Sequence, residues 1–136
     1  ELKEFTMENG KSFSNVRTII EDRAGRMWFG GNDGLVLYDG QSISQIDDRF
    51  VGYLLEDHSG RIYCSISNGK KAGVMELARL TPSLPPLPSD SIEIETVYND
   101  DLMVFGITED AEENIWFGTT KGLYRYNGSE VEDFVK

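Results

Sequence analysis

Cysteine, histidine and proline are scarce in this 136-residue sequence, and each shortage removes a class of protein. The single Cys64 cannot form an intrachain disulfide, and its place in an alternating apolar stretch is that of a buried, inert thiol. The single His58 leaves little material for chemistry that pairs a general base with a metal. All four prolines fall in Thr81-Pro82-Ser83-Leu84-Pro85-Pro86-Leu87-Pro88-Ser89, which therefore reads as a surface loop or short linker and leaves the rest of the chain free to form sheet. Basic residues are outnumbered, 13 against 24 acidic, and the net charge of −11 repels phosphate backbones and anionic membrane surfaces. Nucleic acid is thus a poor partner. No run approaches the roughly 18 uncharged apolar residues of a membrane helix, so this segment is not expected to insert directly into a bilayer. The start, Glu-Leu-Lys-Glu-Phe, has neither an initiator Met nor the apolar core of a signal peptide, and the expectation is a chain processed or excised from a longer one. No window spaces its apolar residues as a helix does, so helix is expected to be close to absent.

What the sequence does contain is an echo. Residues 109–128 repeat the punctuation of residues 21–40 at a constant offset, pairing Glu21 with Glu109, Asp22 with Asp110, Trp28 with Trp116, Phe29 with Phe117, Gly30 with Gly118, Leu35 with Leu123, Tyr38 with Tyr126 and Gly40 with Gly128. A weaker copy lies between them: Glu56-Asp57-His58-Ser59-Gly60 leads into Arg61-Ile62-Tyr63-Cys64-Ser65, with Tyr63 where Trp28 stood and Ser65 where Gly30 stood. Around each copy run short extended stretches rich in β-branched and aromatic residues, separated by Asp, Asn and Gly where turns require them. Four such stretches per unit, at a period of about 44 residues, are the pattern of a propeller blade.

The expected architecture is all-β: about three four-stranded antiparallel meanders forming β-propeller blades, plus one N-terminal strand. Residues 1–14 are read as the leading strand and loop, 15–47 as the first blade, 50–99 as the second with its proline-rich loop at 81–90, and 102–136 as the third. With 39% apolar and 11% aromatic residues the chain can fill a core.

The string Asp-x-x-Gly-x-Ile/Leu-Trp-Phe-Gly-Thr-x-x-Gly-Leu-x-x-Tyr-Asp/Asn-Gly resembles the two-component regulator propeller repeat of bacterial hybrid histidine kinase sensors. Residues 22–40 follow it with Gly31 in place of the usual Thr, and residues 110–128 follow it with Asn114 offset by one from the usual Gly. The middle unit keeps Asp57, Gly60, Ile62 and an aromatic at Tyr63 but loses the Trp and the Gly-Thr step. The resemblance implies a periplasmic or otherwise extracytoplasmic sensor segment, non-catalytic, that recognises a small ligand such as an oligosaccharide. Three units are too few to close a ring, because both terminal faces of an open stack need cover. Self-association or missing neighbouring blades are the expected partners.

The alternatives are a protein-interaction or assembly scaffold without a small ligand, and, more remotely, a propeller lyase. Trp28 and Trp116 are expected to pack between blades rather than to stack a sugar, since they recur at one repeat position. The repeated Glu-Asp pairs are read as turn chemistry, with Asp accepting backbone donors, and His58 as a solvated turn residue. No catalytic residue, cofactor or metal is expected, with adventitious calcium at Asp47-Asp48 or Asp100-Asp101 as the one reservation. Binding function is looked for where the middle copy departs from the pattern, which makes Tyr63, Lys70 and Lys71 the candidate ligand residues, the lysines being suited to an anionic sugar.

Overall fold

The computed structural model describes residues 2–7, 9–69, 71–82 and 92–134. Lys70 and residues 83–91 lie outside the described residues, and with them three of the four prolines. Twelve strands form in chain order: β1 (Val16–Glu21), β2 (Met27–Gly31), β3 (Gly34–Tyr38), β4 (Ile43–Asp47), β5 (Val51–Glu56), β6 (Ile62–Ser67), β7 (Met75–Leu80), β8 (Ile94–Leu102), β9 (Val104–Glu109), β10 (Ile115–Thr119), β11 (Gly122–Tyr126) and β12 (Val131–Asp133). They pair antiparallel into three separate four-stranded meanders, β1 to β4, β5 to β8 and β9 to β12, with no helix among the described residues. The structure is the all-β set of three open blades that the spacing predicts. The leading strand is the exception. Residues 2–7 carry no strand, only a bridge from Thr6 to Ser12, because the segment folds back through a turn at Met7 and Gly10 and no neighbouring strand offers a ladder.

The blades stack through alternate side chains. In β2, Trp28 faces the second blade while Met27 and Phe29 face the other way. In β6 the same alternation turns Ile62 and Cys64 toward the first blade and Tyr63 toward the third; in β10 it turns Ile115 and Phe117 toward the second blade and Trp116 away. Two interblade cores result. One joins Trp28, Leu35 and Leu37 to Val51, Leu54, Ile62, Cys64, Ile66, Ala78 and Leu80. The other joins Tyr63 and Leu77 to Val104, Ile107, Ile115, Phe117, Tyr124 and Tyr126. Cys64 is buried, and burial pushes its thiol up to about 12, the inert state expected of it.

The second blade follows the first closely enough to demand a glycine. A Cβ on Gly30 would come within 2.6 Å of Val51 Cγ1, so strand β5 can approach only because Gly30 has no side chain.

Candidate functional site

Each blade turns from its first strand to its second around one aspartate. The Asp22 carboxylate accepts from the amides of Ala24 and Arg26, from Arg26 Nε and from Trp28 Nε1, all at 2.9 Å. Asp57 accepts from the Ser59 and Arg61 amides, Ser59 Oγ and Arg61 Nε, again at 2.9 Å. Asp110 accepts from the Glu112 and Asn114 amides, from Asn114 Nδ2 and from Trp116 Nε1 at 2.7 Å. One carboxylate therefore shapes the turn and fixes the indole, which explains why Asp and Trp recur six residues apart. In the middle copy, where Tyr63 replaces Trp, Ser59 and the Arg61 guanidinium take up the remaining acceptor capacity. Burial alone would raise Asp22 and Asp57, yet their donors hold both below the usual carboxylate range; the bond from Trp116 and its companions bring Asp110 to about 2.

The glutamates before Asp57 and Asp110 join successive blades. Arg23 N–H donates to Glu56 Oε2 across the first interface at 3.1 Å, and His58 N–H donates to Glu109 Oε1 across the second at 2.9 Å. Each blade thus offers the amide after its Asp to the glutamate before the Asp of the next blade. The side chains add to this latch. The Arg23 guanidinium donates to the carbonyls of Asp57 and His58, and His58 Nδ1 lies 2.5 Å from Glu109 Oε2 with Nε2 3.1 Å from Glu113. His58 is therefore not a merely solvated turn residue, and its hydrogen bond with Glu109, reinforced by the Glu113 charge, raises its pKa. A signal was present: Arg23 and His58 share one repeat position, and Glu56 and Glu109 another.

Asp57, His58 and Glu109 bring ligand atoms within 4.8 Å of one another, the spacing of a metal cluster. Asp57 is engaged by its turn, and both Glu109 oxygens are engaged by His58, so hydrogen bonding is what brings the three side chains together. Asp47 is likewise engaged by Arg49 at 3.0 Å and Asp100 by Lys121 at 3.2 Å.

Connections of the opposite kind gather at the other end of the sheets. The β2–β3, β6–β7 and β10–β11 hairpins reach it, together with the short crossovers that start β5 and β9. The lengthened β6–β7 hairpin carries Lys71, whose side chain is exposed, and is tied to the crossover by Ser67 N–H donating to the Phe50 carbonyl and by Arg49 Nη1, 3.6 Å from Glu76. Tyr63 is elsewhere. It is buried between the second and third blades, with Arg79 Nη1 3.4 Å from its hydroxyl, and burial raises its pKa. The structure thus separates Tyr63 from Lys71. The third blade's outer face presents Trp116, Leu123 and Arg125, where Arg125 lies over the rings of Trp116 and Phe134 at 5.4 and 4.9 Å. Trp116 is stacked by its own blade rather than held out as a bare platform.

Repeated meanders joined by turn carboxylates, with their inner strands side by side, define a β-propeller segment. Residues 10–33 match the model of the two component regulator propeller, which carries the resemblance noted from the motif. Two solved structures share the fold. One is the extracellular domain of a protein from B. thetaiotaomicron described as a hybrid two component system, at TM-score 0.70 and 18% identity over 95% of this chain and 19% of that one. The other is a second structure of the extracellular domain of that same protein, described there as a one component system, and gives 0.68 and 17% over 92% and 18%. The chain spans about a fifth of the length of either. No curated protein matches it.

Proposed function

We propose that this chain is a non-catalytic ligand-recognition segment of an extracytoplasmic sensor propeller, with an oligosaccharide as its ligand class. The observation that carries the reading is the departure of the second blade from the repeat: its lengthened β6–β7 hairpin places exposed Lys71 at the end of the sheets where hairpins and crossovers meet, the end free of the turn carboxylates. The match to the regulator repeat and the extracellular character of both similar structures support the sensor role and the compartment. Anionic sugars suit a lysine pair in an acidic protein, because a local positive site in a net −11 surface selects for charge. Ligand-dependent melting against a panel of neutral and uronate-containing oligosaccharides tests the reading. A binder present at about 100 times its Kd stabilises by about 2.7 kcal/mol, a shift that K70A/K71A should abolish. No shift with any member of the panel would leave the competing reading, an assembly scaffold without a small ligand.

A further inference from the structure

Each inner strand breaks its ladder at the same place. The register of β1 on β2 slips between Val16 and Thr18, that of β5 on β6 between Val51 and Tyr53, and that of β9 on β10 between Val104 and Ile107. The residue after each valine is thus the odd one of a β-bulge, a device that turns a side chain out of the ladder. Those residues are Arg17, Gly52 and Phe105. Because β1 lies against β5 and β5 against β9, the bulges stand in a row along the axial side of the blades, at the end where crossovers and hairpins meet.

The row stays open where neighbouring blades are present. Tyr53 follows the bulge of the middle blade and has a blade on either side, yet it is 40% exposed; Phe105 has the second blade before it and is 50% exposed. What remains free is the axial edge, the side that the blades of a propeller surround without filling.

Arg17 is the charge in that row. Arg23, Arg26, Arg49, Arg61, Arg79 and Arg125 each stand within ion-pair distance of a carboxylate. Arg17 is exposed and has no carboxylate partner among the described residues; its guanidinium lies over the Phe50 ring at 5.9 Å. Phe50 belongs to the crossover into the second blade, and its Cε2 is 3.4 Å from where a Cβ on Gly52 would stand. The ring therefore lies between Arg17 and the Gly52–Tyr53 step. The same crossover holds the lengthened hairpin, since the Phe50 carbonyl accepts from the Ser67 N–H and a Cβ on Gly69 would stand 3.6 Å from Arg49 Cδ. Arg17 is thus joined through one crossover to the hairpin that carries Lys71.

The geometry points to Arg17, Phe50 and Tyr53 as an axial subsite for the uronate residue of an acidic oligosaccharide: the Arg17 guanidinium, over Phe50, receives the carboxylate, and the exposed Tyr53 ring takes the apolar face of the sugar. The subsite rests on the sugar-recognition reading above and moves its anchor from the hairpin lysines to the inner strands. A guanidinium suits the role because it offers paired donors to a carboxylate and is more weakly hydrated than an ammonium. Asp48, exposed on the same crossover, carries the opposing charge, so the fixed position of Arg17, rather than a net positive surface, selects the carboxylate.

Isothermal titration of the 136-residue chain with uronate trisaccharides of the galacturono, glucurono and mannurono series, each beside its methyl ester, tests the subsite. The acids are expected to bind more tightly than the esters. Arg17→Gln should weaken the acid at least about tenfold and leave acid and ester alike, because the charged hydrogen bonds are lost. Tyr53→Ala should weaken acid and ester by a similar factor, about three- to tenfold, since it removes the ring and not the charge. Arg17→Lys, which keeps the charge without the fork, should recover part of the acid's advantage. Circular dichroism and melting of Arg17→Gln are expected to match the wild type, because the side chain is exposed. No binding by any of the acids, or an acid bound by Arg17→Gln as by the wild type, would overturn the subsite. Binding of neutral oligosaccharides alone, or acid binding lost in K70A/K71A but kept in R17Q, would uphold oligosaccharide recognition and still overturn it; loss in R17Q with K70A/K71A unchanged would uphold the subsite and remove the lysines from it.

Discussion

Trp28 and Trp116 occupy one repeat position and live in different surroundings. Both donate their indole N–H to the turn aspartate six residues before, yet Trp28 is wholly buried against the second blade while Trp116, on an outer face, is covered only by Arg125 and Phe134 of its own blade. The repeat sets which side chain points outward from a sheet; the presence of a following blade sets what that side chain is worth. The sharpest break in the pair is therefore truncation. Trp28→Ala should cost about 3–5 kcal/mol in chemical denaturation, the range for emptying a packed aromatic site, and Trp116→Ala under about 2 kcal/mol. Equal costs would mean that the first interface contributes nothing beyond the blade itself.

The turn carboxylates extend the same contrast. Asp22 is buried with Arg26 and satisfies four donors, so Asp22→Ala takes a shared acceptor from two turn amides, Arg26 Nε and an indole N–H and should cost about 3 kcal/mol. Asp110→Ala, at the open end, should cost less. Because their folded pKa values are depressed, the contributions of Asp22, Asp57 and Asp110 are present above the unfolded carboxylate range and are lost as pH falls through the folded values, for Asp110 near 2. Melting curves between neutral pH and pH 2 should show this acid limb, and D22A should flatten part of it.

Gly30 and Gly118 make a third pair. A methyl on Gly30 must displace Val51 or Thr18, at 2.6 and 2.8 Å, so Gly30→Ala should cost about 1–3 kcal/mol. Gly118→Ala meets nothing and should stay within about 0.5 kcal/mol of wild type at dilution.

These pairs also mark how far the sequence could be read. The offset that aligns Asp22 with Asp110 and Trp28 with Trp116 is a property of local order along the chain, and it carried the strands, the turns, the interblade place of Trp28 and the regulator-repeat resemblance. Exposure is not local. Nothing in Gly-Leu or Trp-Phe says whether a blade follows; the count of three units implies open terminal faces, and the structure adds that Trp116 and Leu123 are the side chains lying on one of them. Tyr63 shows the same limit: a departure from the repeat reads as function in the sequence, while in space its ring is buried in the interface at the position that Trp holds in the other copies. The latch from Arg23 to Glu56 and from His58 to Glu109 links residues 33 and 51 positions apart, beyond any turn rule, although the periodic Glu-Asp-basic order held the clue.

Arg23 and His58 form the last and smallest contrast, since they latch successive interfaces with side chains that differ in titration. Among ordinary side chains only histidine changes its charge between pH 5 and 8. His58 has a folded pKa raised by Glu109 and Glu113, so its contribution is complete below the unfolded value of about 6.5 and is lost as pH rises through the folded value. The second interface should therefore loosen above neutral pH while the first does not, seen as faster amide exchange, corrected for intrinsic rates, in the turn at 57–61, which carries His58, than in the turn at 22–26, which carries Arg23. His58→Arg should remove the difference by making the two latches alike. If exchange in both turns keeps the same pH dependence with histidine in place, the His58 side chain adds nothing to the latch, and the backbone N–H to Glu109 makes it alone beside the apolar core.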